Sequence, residues 1–256
     1  MATTFIRSAF AALTISACGI LGNALFAPAA HADATFIWNF SGYNANGSAG
    51  NQLTFYASNA PTEAILARSY ATTNTDGTGA FQAATTTLWS GGIGIKAPGE
   101  SNETSSPNHA IDNDGKDNFL LLEFDSDYHR LTQFGIGWYS GDADVQIWVG
   151  GPQSAGLNLT TACGGACSVS QLTSLGFTQL PVFNNVQNDA DLTIDVSTNV
   201  LGRYVLVAGK VGDSNDYFKL DTISNTEVTI AEPGTIALSV VGLAALWGAR
   251  RRRRTA

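Results

Sequence analysis

Basic side chains are nearly missing from the middle of this chain. Between residues 33 and 232 there are seven Lys or Arg against all 21 acidic residues of the sequence, a formal charge of −14. A body this negative repels a phosphate backbone, which excludes nucleic acid as a partner. It suits solubility and cation binding. Cysteine is equally sparse: of three, only Cys163 and Cys167 fall in this region, and no histidine lies near them. That excludes a multi-bridge framework and leaves a zinc site at the pair short of ligands. No Gly-x-Ser-x-Gly elbow is present, and Gly91-Gly92-Ile93-Gly94 lacks the Lys of a phosphate loop. No segment of the body carries a long helical period, and there is no repeat or low-complexity linker.

Both ends of the chain differ from this body. Arg7 is the only charge before Asp33, and the apolar stretch from Ser8 closes on Ala30-His31-Ala32. A positive start, an apolar run and an Ala-x-Ala site predict a secretory signal peptide over 1–32, read by the Sec translocon and signal peptidase. Ile15-Ser16-Ala17-Cys18 resembles a lipobox, so lipidation at Cys18 stands as the alternative to cleavage after Ala32. At the other end, Glu232-Pro233-Gly234 precedes an uncharged segment, 235–249, and then Arg250, Arg251, Arg252, Arg253 and Arg254. Fifteen helical residues rise about 22 Å, short against a hydrocarbon core of about 30 Å. Snorkelling Arg side chains and a deformable bilayer close that gap, and the Arg run favours leaving this end in the cytoplasm. Pro233-Gly234 breaks secondary structure just outside the membrane, where a protease reaches extended backbone.

The Glu-Pro-Gly, the apolar segment and the terminal Arg run resemble the PEP-CTERM sorting signal of Gram-negative bacteria. The resemblance implies processing by exosortase, an integral-membrane cysteine protease, and transport to the cell surface or extracellular matrix. Ala231 stands where that family usually has Pro.

Strand signals fill the body, 33–231. Thr35–Phe40, Gln52–Ala57, Ile65–Tyr70, Phe81–Trp89, Asn118–Phe124, Leu131–Tyr139 and Val145–Val149 come first. Leu192–Val196, Arg203–Ala208, Tyr217–Leu220 and Glu227–Ile230 follow. Gly, Asn, Asp, Ser and Thr fill the connections, and Asn118–Phe124 reads as a strand buried on both faces. The fold expected is all-β: an antiparallel, jelly-roll-like β-sandwich between the signal peptide and a C-terminal hydrophobic helix. The connections 91–116 and 150–171 are long, which predicts function or internal bracing. A two-domain split near 150–170 is the alternative. The series Trp89–Ile95, Ser106–Asn113, Asp117–Phe124, Gly135–Trp138, Asp142–Asp144 and Asp216–Leu220 resembles the exosortase-dependent surface proteins of the XDP type. That resemblance implies location and fold, and transfers no catalytic residue.

Several residues invite chemistry. Asp112-Asn113-Asp114-Gly115-Lys116-Asp117 concentrates oxygen ligands, and Asp142 and Asp144 join it if their loop folds to the same edge. Calcium takes six to eight such oxygens. No EF-hand frame fits, and the same residues make an ordinary Asx turn. Cys163 and Cys167 are expected to pair in an oxidising compartment, bracing a local turn. His109 reads as a loop-bracing donor, and His129 as an exposed turn residue beside Asp127. Trp38, Trp89, Trp138, Tyr139 and Trp148 form a sugar platform if several face outward, and core packing otherwise. The function expected is a non-enzymatic surface or matrix protein associated with exopolysaccharide. The alternatives are a carbohydrate-binding module and a secreted hydrolase.

Overall fold

The computed structural model describes residues 33–42, 47–100, 109–126, 129–186, 194–196 and 198–228. The expected signal peptide and sorting tail, with Glu232, Pro233, Gly234 and Arg250–Arg254, lie outside the described residues. Among the described residues no helix is long and apolar enough to cross a membrane. The described residues belong to one compact unit, Asp33–Val228.

That unit is an all-β sandwich of two antiparallel sheets. The spine of the first sheet is a pair of long strands, β10 (His129–Gly141) and β15 (Asp216–Glu227), in register from His129↔Glu227 to Gly141↔Asp216. Along its other edge β15 meets three short strands in turn. These are β1 (Ala34–Asn39), β7 (Gly92–Lys96) and β8 (Ile111–Asp112). Strands β6 (Thr85–Trp89) and β2 (Gly47–Ser48) extend the sheet past β7, and β13 (Ile194–Asp195) lies beside β10. The second sheet runs β12 (Thr178–Gln179), β11 (Val145–Gly150), β14 (Tyr204–Gly209), β9 (Asn118–Glu123), β4 (Ala64–Thr72), β3 (Gln52–Tyr56). β5 (Phe81–Ala83) also pairs with β4.

Period-two alternation explains the packing. Leu120 and Leu122 of β9, with Val205 and Val207 of β14, face Ile93, Ile95, Phe134, Ile136, Phe218 and Leu220 of the first sheet. The intervening residues Phe119, Leu121, Tyr204, Leu206 and Ala208 point the other way into a second core. Leu157, Leu159, Cys167, Leu172 and Phe177, from the segment between β11 and β12, cover it. Each large apolar side chain so buried contributes about 1.5–3 kcal/mol. β9 and β14 are therefore buried at every position, as the unbroken apolar run of 118–124 predicts. The long connection after Gly150 is the lid of this second core, inside the unit Asp33–Val228.

Three expectations need correction. Phe81–Trp89 is two strands in different sheets, broken at Ala84, whose N–H bonds Ser69 O and whose carbonyl accepts from Asn51 Nδ2. Tyr217–Leu220 and Glu227 belong to one strand, β15, which continues through the polar residues between them. The connection 91–116 contains β7 and β8. Its glycines hid β7, yet the strand needs them: a Cβ on Gly92 or Gly94 would run into the backbone of Leu220 or His109.

Candidate functional site

The Asp-rich turn is the passage from one sheet to the other. Asp112 closes β8 opposite Tyr217, and Asn118 opens β9 opposite Ala71. At this end of the sandwich the turn meets the head of β15. Asn113 Nδ2 donates to Asp216 Oδ2 at 2.5 Å, and Asn113 Oδ1 accepts the Asp216 N–H at 2.9 Å. Asp142 and Asp216 are bridged in parallel pairing. Asp142, Asp144 and Asp216 each bring a carboxylate oxygen within 4.8 Å of the others.

Donors already surround much of that trio. Asp216 Oδ1 accepts the Asp144 N–H at 2.7 Å, and its Oδ2 also accepts the Lys210 N–H at 3.1 Å. Asp144 accepts from the Asn185 N–H at 2.8 Å and from Lys210 Nζ at 3.1 Å. Burial raises the Asp216 carboxyl, as does the neighbouring charge of Asp144. The arrangement is a hydrogen-bonded lock between three loops. Asp216 was not singled out as a ligand from sequence; its only signal there was its place in the series that resembles the XDP-type surface proteins.

The expected ligands of the turn itself divide. Asp114 is exposed and accepts from Tyr217 Oη at 2.8 Å. Asp112 and Asp117 are both 1 % exposed, and each keeps one oxygen, Oδ2, without a partner. Burial, with the charges of Glu100 and Asp114, pushes Asp112 up to about 9. Burial, with Asp76, Asp216 and Glu100, pushes Asp117 up to about 7. Glu100 thus acts on both; its Oε1 accepts the Lys116 N–H at 2.6 Å. Sequence reading missed Glu100 because it precedes the turn by many residues.

Both described histidines are buried. His129 lies on β10, stacked on Phe124 with ring centroids 4.9 Å apart, and its Nε2 is 2.8 Å from Asp125 Oδ1. This corrects the exposed-turn reading: the register with Glu227 turns the ring inward. Asp125, His129 and Glu227 form a second group with ligand atoms within 4.8 Å of one another. His109 accepts from Lys219 Nζ at 2.9 Å on the outer face of the first sheet. Lys219 Nζ also sits 4.2 Å from the Trp138 ring centre and 5.0 Å from that of Trp89. Burial lowers this amine to about 8.

The aromatic residues do not form an open row. Trp38 and Trp148 are buried, and Trp89 and Trp138 each turn a face to Lys219 and His109. Tyr56 is the one exposed large apolar side chain among the described residues. Cys163 and Cys167 are joined, with Cα atoms 5.1 Å apart, and Cys167 is buried in the second core. Compared with known proteins, the chain matches no family model, no curated protein and no solved structure.

Proposed function

We propose that this chain is an exported protein of the cell surface or extracellular matrix, sorted through its C-terminal tail by an exosortase. Its β-sandwich body is displayed as a structural or matrix-associated module and not as an enzyme. The observation that carries this reading is the agreement between the compact unit and the two end signals. The unit begins at Asp33, directly after Ala30-His31-Ala32, and closes at Val228, shortly before Glu232-Pro233-Gly234. Its first and last strands are neighbours, with Ala34 opposite Glu227, so removal of both flanking segments leaves the sandwich whole. The Cys163–Cys167 bridge suits an oxidising compartment.

The test is surface labelling of intact cells. Pro233→Ala, and separately Arg250–Arg254 all changed to Ser, are expected to hold the protein in the inner membrane or release it. Surface labelling equal to wild type in both variants overturns the sorting reading.

A further inference from the structure

We infer that Asp125, His129 and Glu227 bind a zinc ion at the end of the sandwich where the first and last strands pair. Register brings two of them together. His129 of β10 lies directly opposite Glu227 of β15, and Ala34 of β1 flanks Glu227 on the other side. Asp125 comes from the connection between β9 and β10. Its Oδ1 is 2.8 Å from His129 Nε2, and ligand atoms of all three residues lie within 4.8 Å of one another. Ligands on one zinc, at bonds of about 2.0–2.2 Å, stand at most about 4.4 Å apart, so small side-chain movements close the set. A second observation comes from the next pair along the same strands. Asn225 opposes Leu131 on one side and Phe36 on the other, both in the core between the sheets. Directly opposed residues share a face, as do residues two apart on a strand. Asn225 therefore points inward on the same face as Glu227 and His129. It is fully buried, yet neither its Oδ1 nor its Nδ2 has a hydrogen-bond partner. Buried polar atoms almost always find a partner, so an orphaned amide on this face marks a place for a polar occupant.

Charge and the state of the ring decide what that occupant is. Among the described residues neither carboxylate pairs with a Lys or Arg: Arg130 turns to Asp33, and Arg203 Nη1 donates to the Phe124 and Asp125 carbonyls. A water alone leaves two negative charges uncompensated. A protonated His129 compensates one of them, but its ring is buried against Phe36 and Phe124, and Nδ1 has no partner there. A second ring N–H at that atom would be buried without an acceptor. A metal takes one ring nitrogen and leaves the other N–H for a carboxylate, which is how ligating histidines are usually held. Asp125 stands where it serves as ligand or as that acceptor. An imidazole nitrogen with carboxylates suits zinc, whereas calcium takes six to eight oxygens. A tetrahedral ion keeps a fourth position for Asn225 or a water. Bound there, the ion clasps the connection between the sheets to the last residue of β15, the strand that pairs with β1. The site rests on this geometry and not on the sorting reading.

The full-length chain carries Cys18→Ser for this test, so that no free thiol competes. Purified in detergent and stripped with chelator, it is titrated calorimetrically with zinc and, separately, with calcium. One saturable zinc site is expected, with calcium at least about tenfold weaker. Asp125→Asn and Glu227→Gln should each weaken zinc by about tenfold or more, while Asp142→Asn leaves it unchanged. The Asp125 side chain is 58 % exposed, so its variant keeps the test alive if Glu227→Gln fails to fold. No saturable zinc binding, calcium as tight as zinc, or wild-type zinc affinity in either folded variant overturns the inference. So does loss of binding in Asp142→Asn alone, which would put the ion at the trio of Asp142, Asp144 and Asp216.

Discussion

Replacing Glu123 with Ala should unfasten the lid of the second core. Glu123 Oε2 accepts from Arg68 Nη1 at 2.6 Å, and the two side chains are only 9 % and 13 % exposed. Its Oε1 accepts the Gly156 N–H at 2.7 Å, and Arg68 Nη1 reaches Leu157 O at 3.3 Å. The pair thus pins the start of the lid to β4 and β9. The alanine variant leaves a half-buried guanidinium without its counter-charge and the Gly156 N–H without its carboxylate acceptor. Breaking such a pair costs about 3–5 kcal/mol, and the residual exposure puts this one at about 3. A domain of this size loses about 2–4 °C of Tm per kcal/mol, so a drop of about 6–12 °C is expected in a circular-dichroism melt. Amide exchange at Gly156 and Leu157 should quicken more than in β14, which lies deeper. Arg68→Met combined with Glu123→Leu removes both charges and should recover more than half of the loss. A single-variant loss under about 1 kcal/mol, or a double variant no better than the single, refutes this account of the lid.

Two further outcomes follow from the same structure. A non-reduced digest of exported protein should contain the Cys163–Cys167 peptide cross-linked, and changing both to Ala should cost about 2 kcal/mol, since the loop is short; free thiols in fresh material contradict this. Folded Lys219 loses its proton near 8, against 10.5 for a free lysine. Between those values the unfolded chain binds more protons, so stability rises with pH. The Trp faces favour the ammonium and oppose part of this, which leaves a rise on the order of 2 kcal/mol. Lys219→Met has no such proton, so its stability advantage at pH 7 should shrink as pH climbs through 10.5; a constant gap contradicts the assignment.

Much of the sandwich was legible because burial writes itself into alternation. The run Asn118–Phe124 announced a strand with apolar neighbours on both faces, and the second core supplies the outer one. What alternation does not record is which sheet a strand joins. Phe81–Trp89 read as continuous although its halves pair with β4 and with β7. Strand β7 was hidden by glycines that propensity scores against and close backbone approach demands. The acidic site was half legible. Asp112 and Asp117 stood out by density, but Asp216 joins Asp142 through the Gly141↔Asp216 register of β10 and β15, a distance along the chain that no local pattern spans. Glu100 escaped notice for the same reason: its charge reaches Asp112 and Asp117 only once the segment after β7 folds against the turn.

The most direct test of the central claim is the intact mass of the protein recovered from the surface of its own cells. Export followed by sorting predicts a chain that begins at Asp33 and has lost Arg250–Arg254, with its new C-terminus near Pro233. A surface-recovered chain that retains the Arg run, or that begins upstream of Asp33, contradicts the account.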